Sequence, residues 1–410
     1  MTRHSLNPVI RCALACLFMP IACSVYAHEV VDQPGSLRGG PLQDAIVSTT
    51  AVLSAKAGED ASEQPYPSGV LISEESRYLD NGLHADTFSL QWQQPLSQST
   101  WVSLGVSQHG GAHGNGKGHG PELEQLALQY QRTTGAERTW QIGLGRQSAA
   151  PLEWLGWHAD NPVESVAPLL ADVLFARHSV DTGVRFDWLS GQTSLGLGLW
   201  NGDAWPGSPG EGAADISLRH RVLIGNVKLG VTGFAHAARA DGRGAGDDDH
   251  AHGAERIPIG FSGTTRTLGL DLDAQFETGG VLDWNAGAAF ITSEQEGDLQ
   301  ANAQSSSLTS NTDGVRLLAS VSKDKRGVWV RHEWLSIDNH LGGAGGEAMA
   351  TVAGLADLRG RPARSVAGVW LQNLPSLRWH AAVQRNYDGA RAGLSLLLGV
   401  QYRYDIVLPK

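Results

Sequence analysis

Residues 267–276 read TLGLDLDAQF, and apolar and polar side chains alternate along this stretch. Leu268, Leu270 and Leu272 share one parity, whereas Asp271 and Asp273 share the other. Because successive side chains of a β-strand point to opposite faces, the stretch predicts a strand with one apolar and one polar face. A water-soluble sandwich and a membrane barrel both contain such strands, so this segment alone leaves both open.

The same alternation recurs along most of the chain and predicts fifteen strands. They are expected at 85–94, 100–109, 122–133, 138–148, 180–190, 192–201, 213–223, 226–239, 263–277, 280–292, 312–324, 327–338, 364–375, 377–387 and 393–406. A weaker pattern at 69–78 supplies a sixteenth strand. Residues 43–57 fit an additional strand, a periplasmic segment or a short lumenal helix, and the sequence does not separate these three.

The connections between the predicted strands alternate in length. Tight corners such as Ser190-Gly191 and Gly225-Asn226 take turns with long segments, which are 110–121, 149–179, 202–212, 240–262, 293–311 and 339–363. Outer-membrane barrels have short periplasmic turns and long external loops. We therefore predict an all-β fold, a transmembrane antiparallel up-and-down β-barrel of about 16 strands, with the long segments outside. A barrel of this size is wide enough for an aqueous channel.

The first residues have the pattern of a secretory signal peptide. Arg3 and Arg11 precede an apolar run at 12–23, and cleavage is expected after Ala27, with lipidation of Cys23 as the alternative. All three cysteines lie in this leader, so a chain cleaved after Ala27 has no disulfide. No run of eighteen apolar residues follows the leader, which argues against a helical membrane protein.

The leader and the strand pattern together divide the chain. The expected parts are a signal peptide at 1–27, an N-terminal periplasmic or lumenal segment at 28–68, the barrel at 69–406 and a periplasmic tail at 407–410. Loss of the leader removes Arg3 and Arg11 and changes the formal net charge from −11 to about −13. An acidic chain of this kind argues against nucleic acid as a partner.

Histidines and aspartates are concentrated in segments that the topology places outside. Ten of the fourteen histidines beyond the leader map to external loops or strand tips, and His236 is one of them. The densest groups are His109, His113 and His119, and Asp247, Asp248, Asp249, His250 and His252. Imidazole and carboxylate groups suit Zn²⁺ or a similar divalent ion. These two clusters of histidine and aspartate indicate either weak metal capture or ordinary solvated loops. We do not expect the protein to require a cofactor.

The polar parity of the strands predicts the wall of a channel. Its charged members are Arg185, Asp187, Arg219, Arg221, Lys228, Asp271, Asp273, Arg316, Arg331, Glu333, Arg378 and Arg403. Charges of both signs in a lumen influence which solutes pass. His220 and His332 fall on the opposite, lipid-facing parity, which indicates either an interfacial position or a register shift.

The long segment 149–179 contains an apolar stretch, Val166 to Phe175, that is unfavourable in water. It is expected either to fold into the pore as a constriction or to cover the mouth as a lid. In the first case the candidate constriction carboxylates are Glu153, Asp160, Glu164 and Asp172. No G-x-S-x-G motif accompanies His178 and Asp181, so no catalytic residues and no enzyme activity are predicted.

The predicted barrel resembles the porin superfamily of Gram-negative outer membranes. A local likeness lies in Gly145-Arg146, Trp157-His158-Ala159-Asp160, 181–185 and 199–202, which is similar to porin-like proteins with His-rich external loops. The resemblance implies an outer-membrane location, contact with lipid and lipopolysaccharide, insertion by the barrel assembly machinery and a possible homotrimer. It also implies passive diffusion of small solutes or metal ions. A non-conducting adhesin, a metal-sequestering barrel and a barrel hydrolase are the alternatives.

Overall fold

A computed structural model describes the part of the chain that builds the barrel and a few residues between strands. The described residues are 45–58, 82–109, 122–134, 138–150, 168–170, 174, 180–202, 210–244, 260–277, 282–301, 304–343, 346, 349, 359–374, 377–388 and 391–408.

Within these residues the chain forms one sheet of seventeen strands. The strands are β1 Ala45–Gly58, β2 Gly82–Pro95, β3 Thr100–His109, β4 Glu122–Thr134, β5 Arg138–Ser148, β6 Val180–Ser190, β7 Thr193–Trp200, β8 Gly210–Ile224, β9 Val227–Gly244, β10 Gly260–Glu277, β11 Asp283–Ala301, β12 Gln304–Lys323, β13 Arg326–Gly342, β14 Arg359–Gly360, β15 Ala363–Leu374, β16 Leu377–Asp388 and β17 Arg391–Leu408. Because β14 has only two residues, sixteen of the seventeen are long strands.

The sheet closes on itself. Long strands that follow one another are antiparallel partners, and β13 pairs with β15 beyond the short β14. Between β9 and β10, which lie side by side, the Gly242 amide donates to Ser262 Oγ at 2.8 Å. The strand β1 pairs with β2 along one edge and with β17 along the other, so that Thr49 lies opposite both Leu90 and Tyr404. A closed ring leaves no unpaired strand edge. The predicted antiparallel up-and-down barrel is thereby confirmed.

The closing strand is not the one preferred from the sequence. The ring is completed by β1, which begins at Ala45, so the barrel boundary at residue 69 was wrong and the strand alternative for 43–57 is the correct one. The candidate strand 69–78 lies outside the described residues. At the other end β17 continues to Leu408, beyond the predicted limit at 406.

Tight turns join the strands at one end of the barrel. Gly191, Gly225 and Asp324 have φ values of 55°, 61° and 52°, and positive φ is what two-residue hairpin turns require. We call this the short-turn end, and the opposite end the long-loop end. The corners predicted at 190–191 and 225–226 lie at the short-turn end.

Side-chain burial is inverted relative to a water-soluble protein. Large apolar side chains are exposed, for example Leu268 at 54% and Leu199 at 67%, while polar ones such as Thr267 and Glu333 are fully buried at 0%. An outward apolar face is stable where the surroundings are hydrocarbon. No helix among the described residues is long and apolar enough to cross a bilayer.

Several strands extend beyond the length that a membrane needs. A spanning strand requires about 9–11 residues, whereas β12 has 20 and β11 has 19. Most of the predicted loop 293–311, and both ends of the predicted loop 240–262, are therefore strand. The sequence pattern missed these extensions because outward positions such as Thr309 and Asn311 are polar, and outward positions beyond the hydrocarbon need no apolar side chains.

Candidate functional site: the inner wall and the inward segment

One quarter of the inner wall is lined by amides. Gln129 Nε2 donates to Gln147 Oε1 at 3.2 Å, and Gln141 Nε2 donates to Gln129 Oε1 at 2.9 Å. Gln93 and Gln131 are also buried on the inward parity of β2 and β4. The inward side chains described on β2 to β5 carry no formal charge. Sequence reasoning missed this surface because it sought charges; the polar parity of the glutamines was the available signal.

The inner wall from β6 to β13 carries ion pairs. Arg185 binds Asp187 with two guanidinium nitrogens at 2.8 Å each. Arg331 Nε lies 2.8 Å from Glu333 Oε2, with both side chains fully buried. Both pairs join residues two positions apart, which share a face of a strand. A longer contact of 3.6 Å joins Arg316 Nη2 to Asp271 Oδ1 across strands.

The residues predicted to line the pore lie on the inward parity wherever the structure describes their side chains. Arg185, Arg316, Arg331 and Glu333 are buried. The partly buried members are Asp187, Arg219, Arg221, Lys228, Asp271, Asp273 and Arg378. The side chain of Arg403 is not described. Their influence on passing solutes stays a prediction.

Part of the long connection between β5 and β6 lies inside the barrel. We call its described residues, 168–170 and 174, the inward segment. The backbone amides of Leu169 and Leu170 donate to the two carboxylate oxygens of Glu333, at 2.8 and 3.3 Å. Leu169 and Leu170 are fully buried. The lid alternative for 166–175 is therefore wrong for these residues, and the inward alternative is correct.

Apolar packing supports the same placement of the inward segment. A Cβ atom added to Gly314 on β12 would lie 2.6 Å from Leu170 Cδ2 and 2.7 Å from Leu335 Cδ2. The absence of a side chain at Gly314 therefore lets Leu170 approach the wall. A leucine facing a patch of leucine and isoleucine leaves water at little cost.

Glu333 holds the inward segment well within the membrane-spanning height. It is seven residues from Arg326, the first residue of β13. At a rise of about 3.3 Å per residue and a tilt of about 40°, it lies roughly 18 Å above the short-turn end. The apolar band of an outer-membrane barrel is about 25 Å tall, so the inward segment is anchored inside the lumen.

A second carboxylate holds the start of the same connection. Asp215 Oδ2 on β8 accepts hydrogen bonds from the Ala150 amide at 3.1 Å and from Trp200 Nε1 at 2.6 Å. The walls that hold Ala150 and Leu169 are thus five strands apart, at β8 and β13. The carboxylates proposed from the sequence for a constriction, Glu153, Asp160, Glu164 and Asp172, lie outside the described residues.

His236 does not lie where the sequence predicts. It was placed among the external histidines, but it lies within β9 with 5% of its surface exposed. Its Nδ1 is 4.0 Å from Asp215 Oδ2 on the inner wall. The error arose because β9 extends to Gly244, five residues beyond the predicted end at 239.

The predicted metal ligands fall largely outside the described part of the chain. His109 is the last residue of β3, and its side chain is not described. His113, His119, Asp247, Asp248, Asp249, His250 and His252 lie outside the described residues. Among the residues that the structure does describe, no group of three His, Cys, Asp or Glu side chains is placed to hold a metal ion.

The fold is similar to that of solved outer-membrane proteins of Vibrio cholerae. A loop-deletion mutant of OmpT aligns at 10% identity with a TM-score of 0.53, over 88% of this chain and 100% of that chain. Outer-membrane-expressed OmpT aligns at 9% identity with a TM-score of 0.52, over 88% of this chain and 99% of that chain. A trimer form of in-vitro folded OmpT aligns at 9% identity with a TM-score of 0.51, over 88% of this chain and 100% of that chain. No family model and no curated protein sequence matches the chain.

Proposed function

We propose that this protein is a passive channel for small hydrophilic solutes or ions. The observation that carries the proposal is the inverted burial of the barrel, apolar outside and polar inside. Eight strands would enclose only side chains, whereas barrels of 16 to 18 strands leave an aqueous lumen. The sixteen long strands of this ring fall in the second class.

The inward segment makes this channel selective by size. Glu333 and Asp215 hold parts of one connection against two regions of the wall that are five strands apart, so a solute passes beside Leu169 and Leu170. The remaining lumen is bordered by uncharged amides on β2 to β5, by charges of both signs from β6 to β13, and by arginines on β15 and β16. Mixed charges favour polar solutes of either sign over apolar ones.

The proposed location is the outer membrane of a Gram-negative bacterium. The fold likeness to outer-membrane proteins supports it, and so does a leader with the pattern of a cleaved signal peptide. Lipid and lipopolysaccharide, the barrel assembly machinery and two further copies in a homotrimer are the proposed partners. The trimer is supported only by the form in which one similar structure was solved.

Capture of a divalent metal at the mouth is a subordinate part of the proposal. In the sequence, the two His/Asp-rich groups stand between the ends of β3 and β4 and between the ends of β9 and β10, and these strand ends lie at the long-loop end of the barrel. Neutral imidazole and carboxylate are suitable ligands for Zn²⁺, and a raised local concentration of cations would feed the entrance. The channel does not depend on this metal.

Planar-bilayer recording tests the proposal. Refolded protein should produce discrete conductance steps that scale with KCl concentration, and heat-unfolded protein from the same preparation should produce none. Absence of steps from correctly folded protein would overturn the channel and favour a non-conducting adhesin. Release of lysophospholipid or fatty acid from the bilayer lipid would instead favour a barrel hydrolase.

A further inference from the structure

A row of polar side chains crosses the outer face of β13, β15 and β16 between rows of apolar and aromatic side chains. His332 lies opposite Ser365 in the ladder, and Ser365 lies opposite Arg385. His332 and Arg385 are exposed. On the two neighbouring strands the row is flanked by exposed apolar residues, Leu317 at 44% and Leu394 at 57%. The row is therefore a polar island in the lipid-facing surface.

The strand register excludes a β-bulge as the explanation of this island. His332 and Ser365 are paired without a bulge between β13 and β15, so His332 truly points outward. Its Nδ1 lies 2.8 Å from Ser365 Oγ. When the hydroxyl donates to Nδ1, the proton of the neutral ring is on Nε2, which is then a donor for another group.

The position and chemistry of Arg385 suit the binding of an anion. Its Cζ lies 4.8 Å from the ring centre of Tyr387, and stacking on a ring leaves the N–H groups at the edge of the guanidinium. A guanidinium facing hydrocarbon is costly unless it finds a partner. Arginine matches phosphate in geometry and charge.

The outer surface around the row is shaped as a groove. In three successive rows the outward residue of β15 is small, whereas its neighbours on β13 and β16 are larger. The three rows, from the long-loop side to the short-turn side, are Trp334, Ala363 and Tyr387; His332, Ser365 and Arg385; and Val330, Ala367 and Val383. None of these nine side chains is a carboxylate, so an anion meets no repulsion there.

The groove and the polar row fit an amphiphile with a phosphate group. Trp334 and Tyr387 lie on the long-loop side of the polar row. Aromatic side chains with a polar edge favour the interface between membrane and water. Below the row, Ala367 forms the floor between Val330 and Val383, which are 54% and 45% exposed. An acyl chain lying there would cover apolar surface on both sides.

We propose that the groove over β15 binds a phosphorylated lipid of the leaflet on the long-loop side, with its phosphate on Arg385 and His332 and an acyl chain over Ala367. The charge of the row and the apolar floor beneath it favour this occupant over a second copy of the chain. The site does not depend on conduction through the lumen.

Native mass spectrometry of the full chain in detergent tests the site, with diphosphorylated lipid A as the probe. The unaltered protein should retain lipid A. Arg385→Gln should bind it about tenfold more weakly, because a charge-assisted contact is lost. Arg266→Gln is the matched control, since Arg266 is an exposed, outward arginine on β10, and it should bind as the unaltered protein does.

A second variant tests the groove without changing charge. Ala367→Leu fills the floor and should weaken lipid A binding while folding, judged by the heat-dependent shift on SDS gels, is kept. Millimolar inorganic phosphate should not displace lipid A, whereas displacement would mean that a free anion is the ligand. Equal binding by Arg385→Gln and Arg266→Gln would overturn the proposal. Loss of a trimer mass in Arg385→Gln without any lipid difference would assign the groove to a second copy.

Discussion

The carboxylate of Glu333 accepts a 2.8 Å hydrogen bond from the backbone amide of Leu169, which precedes it by 164 residues in the chain. The same carboxylate is 2.8 Å from Arg331 Nε. One buried side chain thus joins the barrel wall to the segment inside it. A charged acceptor makes stronger hydrogen bonds than a neutral one, so removal of its charge should loosen the inward segment.

Glu333→Gln should therefore produce a noisier and larger conductance. The substitution keeps the shape of the side chain but leaves Arg331 as a buried cation without its carboxylate, which costs about 3–5 kcal/mol in unfolding free energy. Single-channel recording and urea unfolding measure the two effects. Asp187→Asn breaks a different lumenal ion pair and should leave the current quiet. Equal noise in the two variants would contradict the anchoring role of Glu333.

Gly314→Ala should displace Leu170 from the wall. The new Cβ would lie 2.6 Å from Leu170 Cδ2, and overpacking of this kind costs about 1–3 kcal/mol. Addition of Leu170→Ala removes one of the close contacts and should restore part of the lost stability, as measured by urea unfolding of the single and double variants. Gly287→Ala is the control, because its nearest contact would be an ordinary 3.5 Å. A double variant less stable than Gly314→Ala would argue against direct contact.

Arg316→Ala should shift the channel towards cations. Arg316 lies 3.6 Å from Asp271, and its removal leaves the carboxylates of Asp271 and Asp273 without that neighbouring cation. The reversal potential in a KCl gradient should move in the cation-selective direction. The shift should shrink in 1 M salt, where the Debye length is about 3 Å. Arg266→Ala, on the outer face, should give no shift; a shift of equal size there would show that surface charge, not the lumen, sets the preference.

Replacement of the external histidines should reduce zinc retention. In equilibrium dialysis at neutral pH, alanine at His109, His113, His119, His250 and His252 should lower bound Zn²⁺, because imidazole is the main neutral ligand of those segments. His220→Ala supplies the control, since His220 is an exposed outward residue whose Nδ1 is 2.8 Å from Thr193 Oγ1. Retention that is unchanged by the five replacements would remove metal capture from the proposed function.

The strict parity of residues such as Leu268 and Asp271 made the barrel predictable, because membrane strands must separate apolar from polar side chains along the chain. The closing strand was ambiguous because Ile46 and Val52 interrupt the polar parity of 43–57 and Thr49 interrupts its apolar parity. The sequence did not predict the extensions of β9, β11 and β12, because strands outside the hydrocarbon need not separate apolar from polar side chains.

The sequence predicted the inner site only in part. Parity placed Asp215 and Glu333 inside, whereas the apolar run around Leu169 left an inward fold and a lid equally open. The sequence could not show that these carboxylates accept backbone amides of the same connection, since such contacts join residues 65 and 164 positions apart. His332 and Ser365 were likewise 33 positions apart, and only the strand register made them neighbours.

The pairing of β1 with β17 sets a condition on how the molecule is made. Ala45 lies opposite Leu408, so the ladder that seals the cylinder joins residues separated by almost the whole chain. Contacts between distant residues form slowly because the intervening chain must first be ordered. Until β17 is available, β1 therefore has an unpaired strand edge on that side. We therefore expect folding of the barrel to require that this edge is protected from other strands until β17 pairs with it.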